Sequence, residues 1–399
     1  MLAEFRPAMI HLFLDASAAS SGSGPTYVRN VVPHLGRRVD VRATVLVSSE
    51  LGKEFQDTGN VSFVELPGDS TWRGARFVRA QRLIPALVRR SGAHVLISAG
   101  NLALFHSPVP QILLSGNALY TSEHFFRDVL ERRHYGLWLD TTFKAFLARQ
   151  SVRIAERTIA PSRSFAVELE RWTGVRAMAV HHGFDRDLFF QNTQAVPEEL
   201  RAKLDRKGNE LRLVFVSHYN YYRNFETLFR ALPLLKNRIK GREVKLFLTC
   251  RLEPGANPGS YRPEIAAALV KQLDVTHNLV ELGSVPYHLV HNVYQSCDVY
   301  ISPAYVETFA HPLVEAMAAG LPVVASDLAV HREICGDAAL YFPFSSPETL
   351  ADQVVSLASN RELAEQLSAR GLERAKDFSW EKHVDQIIAV AKELAASRR

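Results

Sequence analysis

The chain has 399 residues, 47% of them hydrophobic and 22% charged, with a formal net charge of +5; this suits a soluble globular protein of two domains, each with its own core. No uninterrupted apolar run reaches about 18 residues, which excludes a membrane-spanning helix. Cys250, Cys297 and Cys335 are odd in number, widely spaced and in no metal-ligand pattern, so they read as buried apolar residues in a reducing, cytoplasmic setting.

The first apolar run, Met9 to Leu14, is too short for a signal-peptide core and reads as a strand. A small-residue loop with Gly22 and Gly24 follows and opens a helical pattern. Glycines there let the backbone approach a ligand, and the helix start could face a phosphate, although a lone G-x-G also reads as a tight turn. Strands are predicted at Val41 to Val47, Val61 to Leu66, His94 to Ser98 and Gln111 to Ser115, with a helix from Ala75 to Arg90. Strands alternating with helices imply a doubly wound parallel sheet.

A helical region from about Glu123 to Arg157 interleaves cations with Phe125, Phe126, Tyr135, Trp138, Phe143 and Phe146. Residues 1–180 carry 22 Lys and Arg against 15 Asp and Glu, net +7, leaving −2 for the remainder. A basic, aromatic-bearing surface suits anionic lipid headgroups or a lipid-pyrophosphate acceptor. A solvated face with most aromatics in the core fits the same residues. No nucleic-acid recognition motif accompanies the charge. A strand at Thr158 to Ala160 and a serine-capped helix lead to Met178 to His181 and HHGFDRDLF. The polar stretch Gln191 to Asn209 reads as a linker. Strands at Leu211 to Ser217, Val244 to Thr249 and Asn278 to Gly283 then open a second half.

The stretch from Asp298 to Asp327 is the most informative. Val299 to Ile301 is a β-prone run ended by Ser302-Pro303, Pro312 suits a helix start, and Gly320 with Pro322 ends a helix of about Pro312 to Ala319. Glu307 lies in the loop and Glu315 in the first turns of that helix, with the backbone N–H groups around Phe309, Ala310 and His311 between them. Helix-start N–H groups favour an anion, and two carboxylates beside one are tolerable if they face neutral hydroxyls. A nucleotide sugar has a central pyrophosphate and polyols at both ends. Each glutamate taken singly also reads as an ordinary loop or helix-start charge.

The run ETFAHPLVEAMAAGLPVV, residues 307–324, resembles the E-x7-E segment of retaining family 4 glycosyltransferases of the GT-B fold, usually close to E-G-F-G-x-P-x-x-E-A-M-A-x-G-x-P-V-V. Thr308 and Ala310 replace its two glycines, and His311 stands where an aliphatic residue is usual. Gly183, Asp185 and Phe189 match the family's G-V-D-x-x-x-F segment. The resemblance implies an α/β protein: two facing Rossmann-like doubly wound parallel-sheet domains, with a C-terminal helix crossing back to the first. The expected divisions are 1–190, a linker at 191–209, 210–377, and a final helix at 378–399 with Trp380 at the crossing.

The family also suggests site roles. Arg223 and His218 stand where it usually has a lysine and an arginine against the donor pyrophosphate. Arg223 keeps a permanent charge and grips phosphate bidentately, whereas neutral His218 offers one donor, so donor binding is expected to tighten at lower pH. Gly22 and Gly24 match the family's glycine-rich loop, Gly283 and Val285 lie where the base is held, and Asn117 occupies the place of a loop histidine. Asn117 can bond a hydroxyl but cannot accept a proton as histidine does. The implied reaction is transfer of a sugar from a nucleoside diphosphate to a hydroxyl with retention, without a metal or other cofactor, onto a glycan, lipid-linked or small-molecule acceptor, in cell-surface polysaccharide synthesis. A cytoplasmic setting, peripheral at the inner face of a membrane, goes with it. A sugar-nucleotide epimerase on the same fold and a noncatalytic partner subunit are the alternatives.

Overall fold

Short apolar runs form strands buried on both faces. In a computed structural model, which describes residues 9–19, 23–65, 73–191, 194–256 and 261–397, the first sheet contains β1 (Ile10–Asp15), β2 (Val41–Val47), β3 (Val61–Glu65), β4 (Val95–Ser98), β5 (Gln111–Leu114), β6 (Arg157–Ala160) and β7 (Met178–Ala179). Their order is β3-β2-β1-β4-β5-β6-β7, every pair parallel. On β1, Leu12 and Leu14 face one core with Tyr27, Val28 and Val31 of the helix Ser23–Gly36, while Phe13 faces another with Ile84, Val88 and Leu96. A strand with helices on both faces needs apolar residues at consecutive positions, which explains the unbroken run in the sequence.

The second sheet contains β8 (Glu210–Phe215), β9 (Glu243–Leu248), β10 (Leu279–Glu281), β11 (Val299–Ser302), β12 (Val323–Ser326) and β13 (Ala339–Phe342). It too is wholly parallel, ordered β10-β9-β8-β11-β12-β13. The last helix, Trp380–Ser397, buries Trp380, Val384, Ile387, Ile388 and Ala391 in the core of the first sheet.

Two compact units result. One joins the chain up to Thr121, Asp140–Gly183 and the segment from Trp380; the other joins Ser122–Leu139 to Phe184–Ser379. The expected division at 190 therefore moves to Gly183/Phe184, and residues 122–139 leave the first unit. Their side chains pair with the second unit, as when Asp128 accepts from Tyr305 and Arg132 donates to Glu226. The helical region expected from 123 to 157 is two helices, Glu123–Glu131 and Tyr135–Ile154, broken where Arg133 turns to φ 54°. The expected linker contains the helix Glu198–Leu204. Buried Arg212 on β8 donates to the carbonyls of Leu204 and Asp205, at 2.5 and 2.7 Å, and so ties that stretch to the sheet.

Candidate active site

In the second sheet the chain runs outward from β8 toward β9 and, later, the other way from β11 toward β12. The neighbours β8 and β11 thus flank the topological switch point, where open parallel sheets bind ligands beyond the carboxyl ends of their strands. Two loops leave there, 216–224 with His218 and Arg223, and 303–310 with Glu307. Asn224 joins them: in the left-handed region at φ 56°, its amide donates to the Pro303 carbonyl at 2.9 Å and to the Phe344 carbonyl at 2.7 Å.

Arg223 and Glu307, 84 residues apart in the chain, form an ion pair through Nη1 and Oε2, and the guanidinium lies over the Tyr222 ring, 5.1 Å from its centroid. Burial and the neighbouring Arg223 push His218 down to about 4, partly offset by Glu307. The imidazole is therefore neutral at physiological pH. Burial beside a fixed cation opposes a second positive charge on this ring; an anionic pyrophosphate placed against it would act in the opposite sense.

The short helix beyond β11 spans His311–Ala318, one residue earlier than expected, and its N-cap Ala310 is left-handed at φ 63°. A residue with a side chain is strained there, which accounts for the glycine usual at that position. Glu315 is buried on this helix. Tyr294 Oη donates to its Oε2 at 2.9 Å, and Tyr287 is also hydrogen-bonded to it. Burial raises the Glu315 carboxyl to about 7 against the lowering effect of both tyrosines. Phe189, from the G-V-D-like segment, packs on both tyrosines, with ring centroids 5.4 Å from Tyr287 and 6.2 Å from Tyr294. Phe309 packs on His311 at 4.8 Å and on Phe378 at 5.5 Å.

Several buried polar atoms in this neighbourhood have no hydrogen-bond partner among the described residues: both side-chain atoms of Asn220, Arg223 Nε and His331 Nε2. His331 Nδ1 lies 2.9 Å from the Ser326 carbonyl, which fixes its proton there and leaves Nε2 as an acceptor. Glu307 and Arg223 both act electrostatically on this ring. Buried polar groups without a protein partner are free to bond a polar ligand or solvent, and these gather around the Arg223–Glu307 pair. Sequence reasoning missed Asn220, Tyr287, Tyr294 and His331. Asn220 sits beside the tyrosines before Arg223, but only burial distinguishes it from a solvated loop residue.

Gly283 turns the chain after β10 at φ 77°, where a Cβ would come within 3.2 Å of Arg251 Nε, and half-buried Val285 follows two residues before Tyr287. The remaining expected residues belong to the first unit. Asn117 Oδ1 accepts from Leu119 N at 3.1 Å and caps the turn Ala118–Tyr120. A Cβ on Gly24 would come within 2.8 Å of Ala19 Cα, so the close approach this glycine permits is to the chain itself. Gly22 lies outside the described residues.

Residues 24–188 match the family described as Glycosyltransferase Family 4, and residues 196–374 the one described as Glycosyl transferases group 1. The chain belongs to the family 4 type of GT-B glycosyltransferases. This family 4 chain is 33% identical over 107 residues to O-antigen chain mannosyltransferase B of Escherichia coli, covering 27% of this chain and 28% of that one. It is 25% identical over 237 residues to D-inositol 3-phosphate glycosyltransferase of Nocardia farcinica, covering 58% and 51%. These matches span about half or less of the relatives' own length. The GT-B fold recurs in the crystal structure of the Anabaena protein HepE in complex with UDP-glucose, at TM-score 0.70 and 15% identity over 97% of this chain and 100% of that one.

Proposed function

We propose that this chain transfers a sugar from a nucleoside diphosphate to an acceptor hydroxyl, with retention at the anomeric carbon. The observation that carries the proposal is the Arg223–Glu307 pair at the β8/β11 switch point, beside the unpartnered Asn220 side chain and Arg223 Nε. Donor binding exchanges this pair: the guanidinium turns to the pyrophosphate, which it can grip bidentately, and Glu307 accepts from sugar hydroxyls. Glu315 accepts from the ribose. Gly283 and Val285 flank the base, and the helix start at Ala310 and His311 faces the phosphates.

As the glycosidic bond breaks, charge grows on the leaving phosphate, and Arg223 with the positive end of the His311–Ala318 helix stabilises it. The departing phosphate takes the acceptor's proton, so the mechanism assigns no step to a metal or a protein base. Neutral His218 supplies one hydrogen bond to the leaving phosphate. The UDP-glucose bound by HepE and the mannosyl and inositol-phosphate chemistry named for the relatives support a nucleotide-sugar donor and an acceptor in glycoconjugate or cell-surface polysaccharide synthesis.

A lipid-linked acceptor draws support from the helix Tyr135–Ile154. Its exposed Tyr135, Leu139, Phe143 and Phe146 recur every three or four residues along one stripe, with Arg153 exposed on the same face. An aromatic stripe with cations suits peripheral contact with an anionic bilayer. Among the described residues no helix is long and apolar enough to cross a membrane.

Thermal-shift titration with UDP, GDP, ADP, UDP-glucose and GDP-mannose tests the donor site. At least one ligand should raise the midpoint of the parent and leave Glu315→Ala and Arg223→Ala unmoved. No shift with any of the five sinks the reading in favour of a noncatalytic subunit, and release of free nucleotide with an altered sugar in the absence of acceptor favours an epimerase.

A further inference from the structure

Residues 122–139 lie between β5 and β6 in sequence yet group with the second unit. Their helix Glu123–Glu131 is capped by Ser122, whose Oγ accepts from Phe125 N at 3.2 Å. Asp128 then reaches in two directions: Oδ1 accepts from Arg132 Nε at 2.7 Å, and Oδ2 accepts from Tyr305 Oη at 2.5 Å. Arg132 Nη1 donates to Glu226 at 3.0 Å, and its guanidinium lies 4.4 Å from the Tyr221 ring centroid. Glu226 also accepts from Tyr219 Oη at 3.2 Å, and Tyr221 Oη meets His134 Nδ1 at 3.2 Å. Finally Tyr305 N donates to the Tyr222 carbonyl at 3.0 Å and joins the two loops directly.

These contacts end beside the two charges of the candidate site. Tyr221 and Tyr222 immediately precede Arg223, and Tyr305 is two residues before Glu307. We propose that Asp128 and Arg132 are positioning residues of the donor site, holding the Tyr219–Tyr222 and Tyr305 segments so that Arg223 and Glu307 are presented together. The inference rests on the donor-site reading above. Mere docking of the segment would be served at least as well by apolar side chains, since partly buried ion pairs seldom add net stability. Directional contacts give orientation instead: Asp128 accepts directly from the Tyr305 loop, and Arg132 reaches the 216–224 loop over the Tyr221 ring and through Glu226, which accepts from Tyr219. The same chain segment follows Asn117 closely in sequence, so the element that supports the donor loops is a direct continuation of the one bearing Asn117.

The test measures affinity by calorimetry for whichever of UDP-glucose and GDP-mannose, and the corresponding UDP or GDP, binds the parent. Asp128→Asn and Tyr305→Phe should each weaken binding of the sugar nucleotide by about tenfold, the scale of one lost charge-assisted hydrogen bond. Tyr305→Phe removes a single hydroxyl and provides the readout if Asp128→Asn fails to fold. In a Glu307→Gln background, Tyr305→Phe should cost less than about twofold more, because its effect passes through Glu307. Arg132 also lines a solvent-open cleft with Arg230 and Glu264, so methylguanidine should restore affinity to Arg132→Ala. A purely structural role would lower the unfolding midpoint with affinity unchanged, or give additive losses in the double variant; either result overturns the inference. If Glu315→Ala weakens binding and Asp128→Asn and Tyr305→Phe do not, the positioning role alone fails. If Glu315→Ala is also without effect, or the parent binds neither sugar nucleotide, the donor-site reading fails with it.

Discussion

Glu315 has its carboxylate buried against two tyrosine hydroxyls and its pKa raised to about 7. A carboxyl whose folded pKa exceeds its unfolded value binds more protons in the folded state between the two, so it costs stability increasingly as pH rises from about 4.5 to 7, up to about 3 kcal/mol. A residue retained at that cost is better explained by binding than by packing. Glu315→Gln should raise the unfolding free energy at pH 8 by a few kcal/mol and leave it nearly unchanged at pH 4.5, while nucleoside diphosphate binding is lost. Denaturant titrations of parent and variant at the two pH values check this, and equal gains at both would refute the assignment of the cost to ionisation. Arg223 and His218 differ in the same physical terms. The guanidinium stays charged beside Glu307, and the imidazole, buried beside that guanidinium, stays neutral.

The helix Tyr135–Ile154 has two unlike faces. Thr141, Ala145, Ala148 and Val152 are buried, whereas Leu139, Phe143 and Phe146 are about 60% exposed. Large apolar groups in a continuous stripe are the kind of surface a soluble monomer seldom leaves open. The parent should sediment with vesicles containing phosphatidylglycerol and much less with phosphatidylcholine alone. Replacing Leu139, Phe143 and Phe146 by serine should reduce the bound fraction by at least about tenfold, since about 25 cal/mol per Å² of apolar surface withdrawn from water is lost at three exposed side chains. Binding unaffected by the triple replacement would assign the stripe to another role. The amphipathic pattern was readable in the sequence as aromatics among cations, but their division between core and surface was not. Helical spacing gives two faces without saying which one the sheet covers.

At the scale of the molecule, the chain passes between its two compact units after Thr121, Leu139, Gly183 and Ser379. Its last helix completes the core of the first unit. His383 on that helix is buried, its Nδ1 2.8 Å from the His181 carbonyl and its Nε2 3.1 Å from Tyr27 Oη. Burial lowers it to about 4. A histidine with a depressed folded pKa binds fewer protons in the folded than in the unfolded state between about 4 and 6.5. Stability is then retained above 6.5 and lost as pH falls through that window, by up to about 3 kcal/mol. His383→Gln should flatten the decline of unfolding free energy between pH 6.5 and 4.5 relative to the parent. An identical slope would place the acid sensitivity elsewhere.

Local order alone determined a good deal. Apolar runs, prolines and glycines located the strands around the site to within about two residues, and ETFAHPLVEAMAAGLPVV placed Glu307 and Glu315 in a loop and a helix, because strand ends and helix starts depend on near neighbours in the chain. Other features required the fold. The Arg223–Glu307 pair spans 84 residues, Tyr294–Glu315 spans 21, and Asp128–Tyr305 spans 177 within the second compact unit. No short-range pattern encodes such pairings, and the protonation of His218 and Glu315 follows from burial, which exists only once distant elements have packed. The sequence thus named Arg223, His218, Glu307 and Glu315 as candidates, and tertiary packing decided which groups meet, in what charge state, and that Asn220, Tyr287, Tyr294 and His331 join them.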